Sequence, residues 1–304
     1  CPLDAENDID NDGLCCSEQN GGNYLYFDGS DFVSVASSDV LADTFDSFVP
    51  ASTYFHNDWT ISFSIKPDLD AMGVGTDSFE GANIFSKGYS IGEDGLGEGC
   101  GNPSVMQIFF EPGGEQVSFI VYQEHYGGSF KRIQVDVADM FEDDEWTNIT
   151  ATFSDVDVYP GMSWDGPHHA VEMKLYKDGV ELPLHEDYNN GFTGMGDPVS
   201  SGAEPIFIGA RVSENNVSCR GFIGSIDNLS ISTVFNSPSP INYTDGVVLS
   251  WDFNEGSGEY LNDTSGYENT GQINGVTWGN EEDLCCYDAE NDADSDGICG
   301  DVDV

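Results

Sequence analysis

The residues best suited to chemistry in this chain are aspartates spaced two apart, and they occur in two matched runs. Asp8, Asp10 and Asp12 precede Gly13 near the N-terminus, and Asp292, Asp294 and Asp296 precede Gly297 near the C-terminus. Alternate carboxylates followed by glycine place hard oxygen ligands at positions 1, 3 and 5 of a loop that turns sharply at position 6, which is a calcium-binding pattern. In the second run the Ile298 carbonyl stands at position 7 and Asp303 at position 12. In the first run position 12 is Gln19, so that loop is incomplete by itself. The sequence Asp-Ala-Glu-Asn-Asp is identical in both runs, and cysteines flank each at the same separation, Cys1 with Cys15 and Cys285 with Cys299. No apolar helical repeat borders either loop, which argues against a helix–loop–helix hand. A merely solvated acidic linker would leave the dense like charges and the matched cysteines unexplained.

These acidic runs resemble thrombospondin type 3 repeats, in which calcium loops and disulfides replace a hydrophobic core. The resemblance covers only the termini and implies irregular calcium-binding loops over 1–16 and 285–304. Read from the end into the beginning, Asp292 to Val304 followed by Cys1 to Gly13 makes one continuous series of this kind.

Composition points the same way. Eight Lys plus Arg stand against fifty-six Asp plus Glu in 304 residues, a formal net charge of −48. Phosphate backbones are repelled by such a surface, so nucleic acid is excluded as a partner, and anionic membrane surfaces are disfavoured. Divalent cations are favoured, because they relieve the self-repulsion. No apolar run is long enough to cross a bilayer and no signal peptide is present, so membrane insertion is not expected. A chain that begins at a cysteine inside a motif reads as a mature or excised form.

The eight cysteines indicate an oxidising, extracellular setting. Sequence does not fix their connectivity, but repeat symmetry suggests Cys1–Cys15 and Cys285–Cys299. That leaves Cys16 and Cys286 to tie the two ends together, and Cys100 with Cys219 across two loops. Sequons at Asn148, Asn216, Asn228, Asn242 and Asn262 point to a secreted glycoprotein, their occupancy depending on the source.

Between the ladders, 17–284 reads as one all-β domain with no internal linker. Alternating or β-branched runs bounded by Gly, Asn, Asp and Pro predict strands at Tyr24–Asp28, Phe32–Ala36, Trp59–Lys66, Asn83–Lys87, Val105–Phe110, Gln116–Tyr122 and Phe130–Val137. Further strands are predicted at Trp146–Phe153, Ala170–Tyr176, Pro205–Val212, Phe222–Ser232, Val247–Phe253 and Gly271–Trp278. Only Asp39–Phe48 and Asp136–Phe141 carry helix signals. Many short strands separated by turns predict a two-sheet antiparallel sandwich.

Several of these strands resemble, in order, those of laminin-G-like, concanavalin-like jelly rolls. They include Phe27-Asp28-Gly29-Ser-Asp31, Trp59-Thr-Ile-Ser-Phe-Ser-Ile, Lys174-Leu-Tyr-Lys-Asp178-Gly179 and Phe222-Ile-Gly-Ser-Ile-Asp227. One piece is displaced: the stretch from Leu249-Ser-Trp251-Asp-Phe253 to Gly275-Val-Thr-Trp278 resembles strands that usually precede Phe-Asp-Gly, yet here it comes last. Either the jelly roll is circularly permuted and this segment folds back beside Tyr24–Asp28, or it pairs with the next copy by strand donation. Permutation is favoured, because jelly-roll termini lie close together and a Cys16–Cys286 bridge would seal them. The family resemblance also implies a structural calcium near the Phe-Asp-Gly turn, with Asp28, Asp31 and Asp227 as candidate ligands.

No catalytic constellation is evident, so an enzyme is not expected. Glycoside hydrolysis needs paired acids facing one cleft, whereas Glu111, Glu115 and Glu124 fall near turns or strand ends. His168-His169 beside Asp165 reads as a solvated loop, and Ser163 and Ser200 lack triad context. Trp164, Tyr122, Tyr126 and His125 offer sugar-stacking surfaces, although aromatic residues of a sandwich more often form its core. The expected function is a secreted structural subunit of an extracellular filament, surface appendage or matrix. Its copies would join head to tail through Ca2+ and the disulfide-stapled ladders. The alternative is a calcium-dependent carbohydrate-binding module of an adhesin, with glycans or extracellular matrix as partners.

Overall fold

The computed structural model describes residues 23–45, 57–89, 105–122, 130–143, 145–157, 169–190, 204–234 and 245–280. In chain order the first elements are β1 (Asn23–Asp28), β2 (Phe32–Val35), α1 (Asp39–Phe45), β3 (Asp58–Pro67), α2 (Leu69–Met72), β4 (Ala82–Lys87), β5 (Met106–Phe110) and β6 (Gln116–Tyr122). Then come β7 (Phe130–Asp136), α3 (Val137–Met140), β8 (Thr147–Asp157), β9 (His169–Lys177), β10 (Val180–Glu181), β11 (Glu186–Asn190) and β12 (Ile206–Ile208). The last are β13 (Arg211–Val212), β14 (Ser218–Cys219), β15 (Ile223–Val234), β16 (Gly246–Trp251), β17 (Tyr260–Leu261), β18 (Gly271–Asn274) and β19 (Thr277–Asn280).

Two antiparallel sheets pack face to face as an all-β, jelly-roll-like sandwich. Sheet A runs β10-β9-β8-β3-β15-β1-β19, with β16 also paired to β15, and sheet B runs β11-β7-β6-β5-β4-β12-β2-β18-β17. The physical cause is visible in β3, where Trp59, Ile61, Phe63 and Ile65 point inward and alternate with Thr60, Ser62, Ser64 and Lys66. A period of two puts every second side chain on one face, and burying each large apolar one is worth about 1.5–3 kcal/mol. Trp59 pins the layers: its ring stacks on Phe153 at 4.9 Å within sheet A and meets Phe119 of sheet B edge-on at 5.8 Å. Helix α1 adds Val40, Leu41 and Phe45 to the same core.

The displaced C-terminal segment pairs within its own chain. β19 lies beside β1 with Asn280 opposite Asn23, β18 lies beside β2, and β16 takes the stretch of β15 that β1 leaves open. On that edge of β15, residues 223–226 pair with β1 and 229–233 with β16. The changeover falls at Asn228, in the left-handed region (φ 50°), where the register against β3 also shifts. Of the two expected alternatives, this is the one in which the segment folds back beside Tyr24–Asp28 within its own chain. It also brings the ends of the sandwich together, since the chain arrives at Asn23 and departs from Asn280 on paired positions.

One predicted strand is divided. The run Pro205–Val212 breaks at Gly209, whose φ of 86° is open to glycine and strained for other residues. β12 stays in sheet B, while β13 turns away and pairs with β14 as a separate hairpin.

Candidate functional site

The ladder residues Asp8, Asp10, Asp12, Asp292, Asp294, Asp296, Ile298 and Asp303 lie outside the described residues, as do seven of the eight cysteines, Asn242, His125, Tyr126, Trp164 and His168. Cys219 is disulfide-bonded, and its partner therefore belongs to the undescribed set. Of the sequons, Asn216 is exposed at the tip of the β13–β14 hairpin. Asn228 occupies the β15 irregularity, and the Asn262 amide donates to Glu255 Oε1 at 2.9 Å. Asn148 is half-buried in mid-sheet, its amide reaching the Phe63 carbonyl.

The turn after β1 draws Asp28 and Asp31 together. Asp28 Oδ1 accepts from the Ser30 amide at 2.9 Å and the Ser30 hydroxyl at 2.7 Å, and those bonds hold its carboxyl below the ordinary range. Asp31 goes the other way: burial, then the neighbouring Asp28 charge, pushes its carboxyl up. Asp227 is elsewhere. Asp28 stands opposite Ile223, four residues along β15 from Asp227, a separation of roughly 13 Å at strand spacing. Both Asp227 oxygens cap Asn228, one at its amide and one at its side chain. Asp28 and Asp227 are thus not members of one ligand set, and no group of three or more metal-ligating side chains is found among the described residues.

A second site, not read from the sequence, lies on the face of sheet B turned away from the core. The register carries one row across all nine strands, from Tyr260 through Gln272, Ser34, Phe207, Ser86, Gln107 and Ile120 to Arg132 and Tyr188. A neighbouring row runs Asn83, Phe109, Ser118, Gln134, Glu186. Apart from Ile120 these residues are polar or aromatic, yet much of the centre is buried. Glu111, next after β5, accepts from the Ser118 hydroxyl at 2.5 Å and the Gln134 amide at 3.1 Å. Arg132 joins Glu111 at 3.6 Å to Glu186 at 2.5 Å, and its guanidinium faces the Tyr188 ring at 5.8 Å. Glu111 does sit at a strand end, as its sequence context indicates, but it is the centre of a network.

Beside this network the β13–β14 hairpin folds over β4 and β5, the Ala210 carbonyl accepting from Asn83 Nδ2 and Ser86 Oγ at 3.2 Å each. That placement sets the Arg211 guanidinium over the Phe109 ring at 5.1 Å. Gln107 Nε2 donates to the Tyr122 hydroxyl at 2.9 Å. Burial pushes the Tyr122 phenol up to about 12, and burial followed by the charge of Arg220 pushes Arg211 down to about 10. At the other end of the row, Tyr89, Phe207, Tyr260, Gln272 and Asn216 line an open groove of about 530 Å³.

No protein-family model matches the chain, and no curated protein matches it in sequence. Among solved structures, the crystal structure of the botulinum neurotoxin serotype G binding domain is similar at TM-score 0.38 and 13% identity, over 66% of this chain and 36% of that one. A botulinum neurotoxin type G receptor binding domain is similar at TM-score 0.31 and 13% identity, over 58% and 34%. The chain thus spans about a third of those structures' length. Likeness at this level carries no function, and the assignment to the β-sandwich class rests on the chain's own two sheets.

Proposed function

We propose that this chain is a non-enzymatic structural subunit of an extracellular, calcium-dependent array, a laminin-G-like jelly roll whose terminal ladders join those of neighbouring copies head to tail. The supporting observation is the pairing of Asn23 with Asn280. The described chain enters sheet A at Asn23 and leaves it at Asn280, side by side, and from those points the tail of one copy and the head of the next would complete a single calcium-lined series. The sandwich then hangs from that series rather than lying within it. Negative-stain electron microscopy in millimolar calcium and in EDTA tests this. The expected result is a thin strand carrying globular particles to one side, loosened by EDTA. Compact single particles under both conditions would overturn the reading.

The groove lined by Tyr89, Phe207, Tyr260 and Gln272 favours a second reading, a carbohydrate-binding module of a secreted adhesin. Aromatic faces beside amide groups are the usual furniture of sugar sites. Glycan-array hits confined to one sugar class and abolished by Tyr260→Ala would support it; an empty array would end it.

A further inference from the structure

The Arg211 side chain is 3% exposed, makes no hydrogen bond or ion pair among the described residues and leaves its Nε buried and unpaired; its guanidinium rests on the Phe109 ring, and Glu111 acts on it only at longer range. Arginine is almost never buried in this way, because withdrawing a guanidinium from water without a counter-charge is expensive. It is also out of character in a chain with fifty-six acidic residues, where a surface carboxylate is seldom far away. The atoms around it are unpaired in a complementary sense. Asn83 Nδ2 is taken by the Ala210 carbonyl, leaving Oδ1 buried and free, and Gln107 Nε2 is taken by Tyr122, leaving its Oε1 free. Asn83 stands directly opposite Phe109, and Gln107 lies two residues along β5 on the same face. One cationic donor laid over the Phe109 ring and two neutral acceptors flanking that residue therefore each have a buried atom without a hydrogen-bond partner.

We propose that Arg211, Asn83 and Gln107 form a binding site for a hydroxylated carboxylate, the guanidinium taking the acid group and the two amide oxygens accepting from its hydroxyls. A plain anion would satisfy Arg211 but bring no donor for Asn83 or Gln107. A neutral sugar would satisfy the amides and leave the charge unpaired. The charge of −48 repels a polyanion at long range, so the ligand carries a single acidic group. Such a group belongs either to a free hydroxy acid or to an acidic sugar ending an otherwise neutral glycan.

The test uses the full chain in carboxylate-free buffer, with thermal unfolding read against glucuronate, glycolate, acetate and glucose. Glucuronate should raise the melting temperature by several degrees and acetate less, with glucose inert. Glycolate acting as well as glucuronate would identify a free acid as the source, and glucuronate alone an acidic sugar. Arg211→Met should abolish every response and, without ligand, should unfold at or above the wild-type temperature, because it removes an unpaired buried charge. Gln107→Leu should reduce the preference of glucuronate over acetate while keeping the acetate response. A glucuronate response that survives Arg211→Met, or no response in wild type, would overturn the proposal. An Arg211→Met variant that is well folded yet clearly less stable without ligand would also overturn it, since the arginine would then have a partner inside the chain.

Discussion

Gly209→Ala probes the point where the chain leaves sheet B to carry Arg211 over its outer face. Two costs add. The residue sits at φ 86°, where a side chain is strained, by about 1–2 kcal/mol for left-handed backbone. A methyl group there would fall 2.3 Å from Phe27 Cδ1 and 2.4 Å from Cε1, in a fully buried ring, and such overpacking costs about 1–3 kcal/mol. The expected loss is therefore about 2–5 kcal/mol, against the roughly 5–15 kcal/mol that holds an ordinary domain folded. Urea unfolding followed by tryptophan fluorescence measures it, with Trp59 and Trp251 buried as reporters. Phe27→Leu supplies the control, because a smaller side chain relieves the clash but not the backbone strain. In a double-mutant cycle the steric share should be recovered and about 1–2 kcal/mol should remain. A Gly209→Ala cost below about 0.5 kcal/mol, or one unchanged by Phe27→Leu, would refute the reasoning.

Asp31→Asn should stabilise the protein at pH 7 in EDTA, since the raised Asp31 carboxyl means that its ionised form is disfavoured in the folded state. Its contribution is fully present below the unfolded carboxylate value and lost as pH rises through the folded one, so the advantage of the variant should shrink as pH falls toward 3. If a calcium ion lies against Asp28 and Asp31, the same variant should be destabilising in millimolar calcium, and that reversal is read by calorimetry. Trp251→Phe removes the indole donor to the Asn269 carbonyl at 2.9 Å and part of a fully buried ring; a loss of about 2–3 kcal/mol is expected in chemical unfolding. Arg132→Met strips Glu111 and Glu186 of a shared, partly exposed counter-charge. It should cost about 1–2 kcal/mol and loosen β11, visible as faster amide exchange over Glu186–Asn190.

The sandwich was legible because its strand runs are apolar or β-branched between turn residues, with β3 alternating cleanly: β3, β6 and β15 fall within two residues of their predicted bounds. What escaped was held by something other than alternation. β11 reads Glu-Asp-Tyr-Asn-Asn, a poor strand sequence, and is secured to β7 by Lys131–Asp187 and Arg132–Glu186 ion pairs. β10 is only two residues long and depends on the Asp178-Gly179 turn, both residues at positive φ, whose Asp-Gly signature was present in the sequence. The short α2 is set by the Asp68 side chain at its start and Gly73 at its end. The outer row of sheet B was beyond reach, because it joins nine strands whose pairing order is not written in any one of them. Arg211 offered no local signal at all; only its burial and the lack of a partner mark it.

The meeting of Asn23 and Asn280 at one end of an antiparallel pair also decides how this protein would bear load. Tension applied through the two termini would act across that end, parting the hydrogen bonds of β1 and β19 one after another, as a zipper opens, instead of shearing them together. β19 is the outermost strand of sheet A, so it would peel first and carry β18 after it. An array pulled along its length would be soft at every domain unless a covalent clasp lay ahead of the first pair. Cys16 and Cys286 stand seven residues before Asn23 and six after Asn280, where a bridge would route the force around the sandwich. Stretched singly with intact disulfides the domain should stay folded, and after reduction it should open at low force.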